Sequence, residues 1–252
     1  KTQSAVPADA PVILECEHLN SWQVKDVSFK LKKGEILGFS GLMGAGRTET
    51  MRLLCGADPM DSGVIKINGK EVKIKTPKDA VELGIGYLSE DRKRFGLMLD
   101  KSVTDNSAIA SVDDFITAGI INDSKMKAAS AEFNEKLRTK TPSMEQLLKN
   151  LSGGNQQKVI IARWLMKNSD IFIFDEPTRG IDVGAKSEIY KLMEELVEQG
   201  KSIIMISSEL PEVLRMSDRI IVMCEGRKTG ELDISEATQE NIMQLATMRE
   251  EN

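Results

Sequence analysis

Strands alternating with helices along this chain predict an α/β fold, with a mostly parallel central sheet and helices on both faces. Two local patterns place its chemistry. A short apolar strand at 36–40 runs directly into Gly41-Leu42-Met43-Gly44-Ala45-Gly46-Arg47-Thr48 and then into a helix. Further on, Leu151-Ser152-Gly153-Gly154-Asn155-Gln156-Gln157-Lys158 forms a tight polar turn opening a helix. After it, an apolar strand at 171–174 ends in the adjacent carboxylates of Asp175 and Glu176. One helix and one turn fit between these last two pieces.

The chain has 252 residues, enough for one large or two small domains with a real core. Its balance of 34 basic against 39 acidic residues gives a net charge of -5, which argues against broad nucleic-acid binding. Cys16, Cys55 and Cys224 are too scattered for a disulfide framework, so a reducing, intracellular compartment is expected. No run of about 18 apolar residues is long enough to span a membrane, and the first residues do not read as a signal peptide. Residues 1–11 (KTQSAVPADAP) read as a linker or an excised boundary. A start without Met in such a stretch points to a piece of a longer polypeptide or to processing.

Each element can be read in order. Residues 12–16 and 24–31 read as strands, the second because Val27, Phe29 and Leu31 alternate with polar neighbours. Lys33-Gly34-Glu35 turns into the strand at 36–40, and a helix is expected over 48–55. Residues 64–67 and 70–74 form a hairpin on Asn68-Gly69. Such early hairpins imply an added antiparallel layer. Thr76 caps a helix that starts with Pro77 and runs to about Leu83, where Gly84 stops it. Strand 85–88 leads into the charged loop 89–94. From about 97 to 150 the pattern is mainly helical, for example over 124–139. Helix 156–166 carries apolar residues so widely around it that it must be largely buried. In 187–199, Ile189, Leu192, Met193, Leu196 and Val197 make one helical face, and Gly200 ends it. Strands 202–206 and 219–223 flank a short helix from Pro211, Glu225-Gly226 turns the chain back, and 241–248 closes it as a helix.

The glycine-rich stretch fits the phosphate-loop pattern except that Arg47 stands where Lys is expected. Its backbone amides would cradle phosphates, Arg47 would supply charge, and the Thr48 hydroxyl would ligate Mg²⁺. Arg47 keeps the charge, but its planar fork reaches differently from a compact ammonium. Asp175 lies at the carboxyl end of a strand, where ligands bind in open α/β sheets, and would also hold Mg²⁺. Glu176 is then placed to polarise a water as general base. The Ser152 hydroxyl and the following glycine amides suit a phosphate at a helix N-terminus.

Together and in this order, these pieces resemble the phosphate loop, signature loop and Walker B strand of the ABC-transporter ATPases. Pro177-Thr178-Arg179-Gly180-Ile181-Asp182 resembles that family's D-loop, in which an Asp, here Asp182, lies across a dimer interface. GLMGAGRT, LSGGNQQK and DEPTRGIDVGAK, with Glu90-Asp91-Arg92-Lys93 and Ile206-Ser207-Ser208-Glu209, resemble the C-terminal half of the ribose/galactose-type sugar importer ATPases. The resemblance runs from about residue 12 to the end. It implies a P-loop NTPase of the ABC type: a linker at 1–11 and one ATP-binding domain at 12–252. The core would be about 12–96 and 152–252, with a helical subdomain at about 97–151. It also implies ATP and Mg²⁺ as ligands and a second ATP-binding module in the same polypeptide. A membrane permease would hold the protein on the cytoplasmic face, supplied by an extracytoplasmic sugar-binding protein.

The family's sites are composite. In one, this chain would offer Arg47, Glu90, Asp175, Glu176 and Ser208; in the other, Leu151, Ser152, Gly153, Gly154 and Asn155 would face a partner's phosphate loop. Glu90 stands where the family has a Gln sensing Mg²⁺ and the γ-phosphate, and Ser208 where it has a His. Removing one preorganised electrostatic group typically costs on the order of 10²–10³ in rate. With three such positions altered, this chain's own phosphate-loop site is expected to be slow and the other to carry most hydrolysis.

Trp22 is the candidate for stacking on adenine or, equally, for packing. The run Arg92-Lys93-Arg94 reads as a solvated loop in preference to a phosphate or permease contact. His18 reads as a surface or sheet residue, and Trp164 with Met193, Met205, Met216 and Met223 as core. Two other readings stay open: a soluble ABC ATPase acting outside transport, and a non-hydrolysing nucleotide-sensing or interaction module.

Overall fold

The structure, a computed structural model, describes residues 2–249; Lys1 of the expected linker lies outside them. The chain begins with β1 (Val12–Asn20), β2 (Val27–Lys32), β3 (Ile36–Gly41), α1 (Arg47–Leu54), β4 (Ser62–Ile67), β5 (Lys70–Val72), α2 (Pro77–Glu82) and β6 (Ile85–Leu88). It continues with α3 (Val103–Ala108), the short β7 (Ile116–Thr117) and β8 (Ile120–Ile121), α4 (Asp123–Lys136) and α5 (Gly153–Met166). Then come β9 (Ile171–Asp175), α6 (Val183–Glu198), β10 (Ser202–Ile206), α7 (Leu210–Met216), β11 (Arg219–Cys224), β12 (Arg227–Asp233) and α8 (Gln239–Ala246).

Two compact units result: 2–87, 170–176 and 195–249 form the first, and 88–169 with 177–194 form the second. In the first, β2-β1-β4-β5 make an antiparallel sheet, and β12-β11-β3-β10-β9-β6 make the main one. β11, β3, β10 and β9 run parallel, while β12 returns antiparallel to β11. β9 and β10 are buried along their whole length, as continuous Ile/Phe/Met runs in a parallel sheet require. The sheets share a core in which the rings of Phe29 and Phe39 meet edge to face, their centroids 5.1 Å apart.

Thr76 and Asp79 form a capping box at α2, with the Thr76 N–H donating to the Asp79 carboxylate at 2.9 Å. Thr76→Ala should therefore lower unfolding free energy by about 1 kcal/mol in urea, without changing the denaturant slope. The segment before β1 is tied down: the Ser4 hydroxyl donates to Asp218 at 2.9 Å and the Lys32 ammonium to the Ala8 carbonyl at 3.1 Å. Cys16, Cys55 and Cys224 are all free and buried. His18 is exposed on β1 and sits beside Asp26. Trp164 and the four methionines are buried.

The second unit takes in more than the 97–151 segment expected to be helical, because α5 packs on both α3 and α4. α5 is buried from Gln156 to Trp164. Buried polar bonds stitch the unit together: Arg163 donates to the carbonyls of Asn106 and Gly96, each at 2.8 Å, and Asn134 donates to Ser107 at 2.8 Å. The segment is not purely helical. β7 and β8 form a two-residue hairpin whose turn, Ala118-Gly119, has positive φ at both residues (52° and 78°). Strands this short carry too little periodicity to be read from sequence.

Candidate functional site

In the first unit, β3 ends at Gly41 and the chain loops through Leu42, Met43, Gly44 and Ala45 to Gly46, the N-cap of α1. Gly46 has φ 93°, and a Cβ there would lie 2.9 Å from the Gly226 Cα, so backbone conformation and space both demand glycine. No side chain caps α1, unlike α2, α3 and α5, which are capped by Thr76, Ser102 and Ser152. The first N–H groups of α1 therefore stay open to an anion.

The opening turn of α1 reaches the end of β9. The Thr48 hydroxyl donates to Asp175 Oδ1 at 3.2 Å, and the Tyr87 phenol donates to Oδ2 at 2.8 Å. Asp175 is 1% exposed. Burial pushes its carboxyl up to about 6, against the pull of the Tyr87 and Thr48 hydroxyls and of Arg47, with Glu176 adding to the rise. Burial likewise raises the Tyr87 phenol, Asp175 adding to it. A buried carboxylate held by two hydroxyl donors fits a hard cation, since carboxylate and hydroxyl oxygens are the ligands Mg²⁺ takes. Among the described residues no cluster of three His, Cys, Asp or Glu side chains is placed to hold a metal. The oxygen donors at this corner are the Asp175 carboxylate and the Thr48 hydroxyl.

Glu176 follows directly. Its N–H donates to the Ile206 carbonyl at 2.9 Å, and its φ of 50° puts it in the left-handed region, where a non-glycine residue is strained. The Ser208 hydroxyl donates to Glu176 Oε1 at 2.8 Å. Burial raises the Glu176 carboxyl, opposed by Ser208 and by Arg47. Arg47 is itself buried at 8% exposure. Its Nη1 donates to the Ser207 carbonyl at 2.9 Å and its Nη2 lies 4.0 Å from Glu176 Oε1. The side chain at the usual Lys position is thus turned onto the strand end.

Trp22 is 83% exposed, which rules out the packing role. The neighbouring Gln23 carbonyl lies 3.6 Å from where a Cβ on Gly46 would stand, so the loop that carries Trp22 lies against the glycine-rich loop.

In the second unit, the Ser152 hydroxyl caps α5. It accepts the Asn155 N–H at 3.4 Å and the Asn155 side-chain amide at 2.9 Å, while Asn155 Oδ1 accepts from the Lys140 N–H at 2.8 Å. Leu151 is half-buried and Gly154 buried. The Asp182 carboxylate is exposed and accepts the Ala185 N–H at 3.0 Å, at the start of α6. Glu90 forms an ion pair with Arg179.

Arg92 corrects the sequence reading. Lys93 and Arg94 are exposed, but Arg92 is 8% exposed, and burial lowers its guanidinium below its ordinary value. It donates to the Arg179 carbonyl at 2.7 Å, the Gly180 carbonyl at 3.3 Å and Gln156 Oε1 at 3.4 Å. A run of like charges normally marks a solvated face, and nothing in RKR separates its first member from the others. Tyr87 was also missed, though an aromatic hydroxyl at the carboxyl end of a sheet strand was a usable signal.

The family model described as "ABC transporter" matches residues 24–179. The chain is 56% identical over 254 residues to a protein of Burkholderia cenocepacia (strain HI2424) named "Putative ribose/galactose/methyl galactoside import ATP-binding protein 2", covering 99% of this chain and 50% of that one. It is 53% identical to the ribose import ATP-binding protein RbsA of Lactococcus lactis subsp. lactis (strain IL1403), over 94% of this chain and 48% of that one. The chain thus spans about half the length of the curated relatives it matches. Among solved structures, a nucleotide-free ATP-binding cassette from an ABC transporter superposes with a TM-score of 0.78 at 21% identity, covering 94% and 96% of the two chains. A dimeric cassette bound to ADP and Pi gives 0.74 at 20% identity, covering 88% and 99%.

Proposed function

Because this chain belongs to the ABC transporter family, we propose that it is one ATP-binding module of a monosaccharide importer, coupling ATP binding and hydrolysis to a membrane permease. The observation that carries this reading is the joined corner of Thr48, Asp175, Glu176 and Ser208 beside the uncapped N-terminus of α1. There the loop amides of 41–48 and the N-terminus of α1 would bind the phosphates, with Arg47 adding charge. Thr48 and Asp175 would hold Mg²⁺, which when bound neutralises developing charge on the phosphate oxygens. Tyr87 keeps the Asp175 carboxylate aimed. Glu176 takes the proton of the attacking water, and the Ser208 hydroxyl holds that carboxylate where the family's His would stand.

Arg47, Glu90 and Ser208 depart from the family pattern together, which supports a slow first site whose nucleotide mainly keeps two modules closed. The signature residues Leu151 to Asn155 and the D-loop Asp182 would serve the second module's site, provided by the other half of the polypeptide. Among the described residues no helix is long and apolar enough to cross a membrane. Attachment to the cytoplasmic face would come through the permease, and the sugar would reach it from an extracytoplasmic binding protein. No nucleic-acid role is proposed.

The test is co-purification of the full-length polypeptide with its membrane subunits, followed by ATPase assay with and without binding protein and sugar. Sugar-stimulated turnover is expected; a protein that purifies away from any permease and ignores sugar would refute the transport reading. If Trp22 stacks on adenine, Trp22→Ala should weaken ATP binding roughly threefold to tenfold by calorimetry, with an unchanged melting temperature.

A further inference from the structure

The buried guanidinium of Arg92 stands at a junction of three segments of the second unit. It donates to the Arg179 and Gly180 carbonyls and to Gln156 on α5. Gln156 in turn donates to the carbonyls of Leu148 and Leu151, the stretch that leads into the Ser152 turn. Gly153 lies so close that a Cβ there would be 2.6 Å from Arg92 Nη2 and 2.9 Å from the Gly180 carbonyl oxygen. Only a residue without a side chain lets the turn sit against the guanidinium. A second tie runs the other way, from the Arg179 side chain to the Glu90 carboxylate. The loops around 90–92 and 179–180 therefore hold each other twice, once through each arginine, and the turn at 153 is packed onto the same group.

We propose that Arg92 is a positioning residue: it locks the Gly153 turn, the 179–180 loop and the Glu90 loop into one block, which holds the amide corner of α5 ready for the second module's nucleotide. Three directed donors on a planar fork suit this task, and a flexible ammonium does not. The rigid block matters because small misplacements of preorganised donors cost rate steeply, roughly 10²-fold for about 1 Å. The inference rests on the reading that this corner completes the second module's site.

The test uses the complete two-module protein assembled with its permease, with turnover measured per folded molecule across ATP concentrations. Arg92→Gln should lower kcat by about 10- to 100-fold while KM stays within about twofold. Arg92→Lys, which keeps the charge but loses the fork, should fall between. Combined with Ser152→Ala, the loss should be no greater than that of the more damaging single change, because both act through one turn. An unchanged kcat, or losses that multiply, overturns the inference. Should Arg92→Gln fail to fold, Arg92→Lys carries the same test, since it keeps the charge and gives up only the planar fork that makes the three bonds. A severalfold lower kcat that does not multiply with Ser152→Ala is expected there, and any other result overturns the proposal. Ser152→Arg separates the two levels. If it leaves turnover intact, the shared-site reading itself fails; if it abolishes turnover while Arg92→Gln does not lower kcat, only the role of Arg92 falls.

Discussion

In the two-module polypeptide proposed above, Ser152→Arg should cut ATP turnover by on the order of 10²–10³, the usual cost of losing a preorganised electrostatic contact. Ser152 is exposed, and its hydroxyl is the N-cap of α5. Losing that cap costs only about 1 kcal/mol, so the variant should stay folded while a bulky cation fills the corner proposed to face an anion. Glu176→Gln, by contrast, should leave turnover within about threefold if, as proposed, the site it serves is already slow and its contribution does not add to other losses. Gln preserves shape and can still accept from Ser208, which donates to Glu176 at 2.8 Å. Steady-state phosphate release measures both. The reverse pattern, with turnover surviving Ser152→Arg and vanishing in Glu176→Gln, would assign hydrolysis to this chain's own phosphate loop.

The second large effect concerns stability. Burial holds the Asp175 carboxyl at about 6, above its ordinary 3.8, so the folded state binds that proton more tightly than the unfolded chain does. For an acid shifted upward, folding is favoured most below the unfolded value and loses free energy as pH climbs from about 4 to about 6. The loss is on the order of 3 kcal/mol and is complete at pH 7 and above. Without Mg²⁺ or nucleotide, Asp175→Asn should therefore be more stable than the parent by up to that amount at pH 7.5. The two should converge near pH 4. The Tyr87 oxygen can accept from the new amide, which offsets part of the bond lost with the carboxylate. Urea titrations at the two pH values decide the matter, and an Asn variant weaker than the parent at pH 7.5 would remove burial as the cause. The same substitution should abolish the Mg²⁺-dependent part of the melting-temperature gain given by ATP.

Much of this arrangement could be read from local sequence because its parts are local. A glycine-rich turn after a strand, a Ser opening a buried helix and a carboxylate pair closing a buried strand each carry their physics within about eight residues. β6 and β10 matched their expected spans of 85–88 and 202–206, since continuous apolar runs bounded by turn residues leave little freedom. What escaped depends on distant partners. The Tyr87 phenol gains its meaning only when β6 lies beside β9. Arg92 differs from Lys93 and Arg94 only because the carbonyls of 179 and 180 come to it. The orientation of Arg47 toward the Ser207 carbonyl likewise depends on β3 and β10 being neighbours. The exposure of Trp22 follows from a loop path that no periodicity encodes.

Two of the interior cysteines give the molecule a built-in clock. Cys16 and Cys55 are shielded from water, and burial pushes the Cys55 thiol up to about 12, so neither presents a thiolate to a reagent at neutral pH. An alkylating agent at such sites can report only excursions in which the strands and α1 part company. Its labelling rate then counts openings of the native structure, and a bound ligand that slows the count would reveal itself with no spectroscopic tag added.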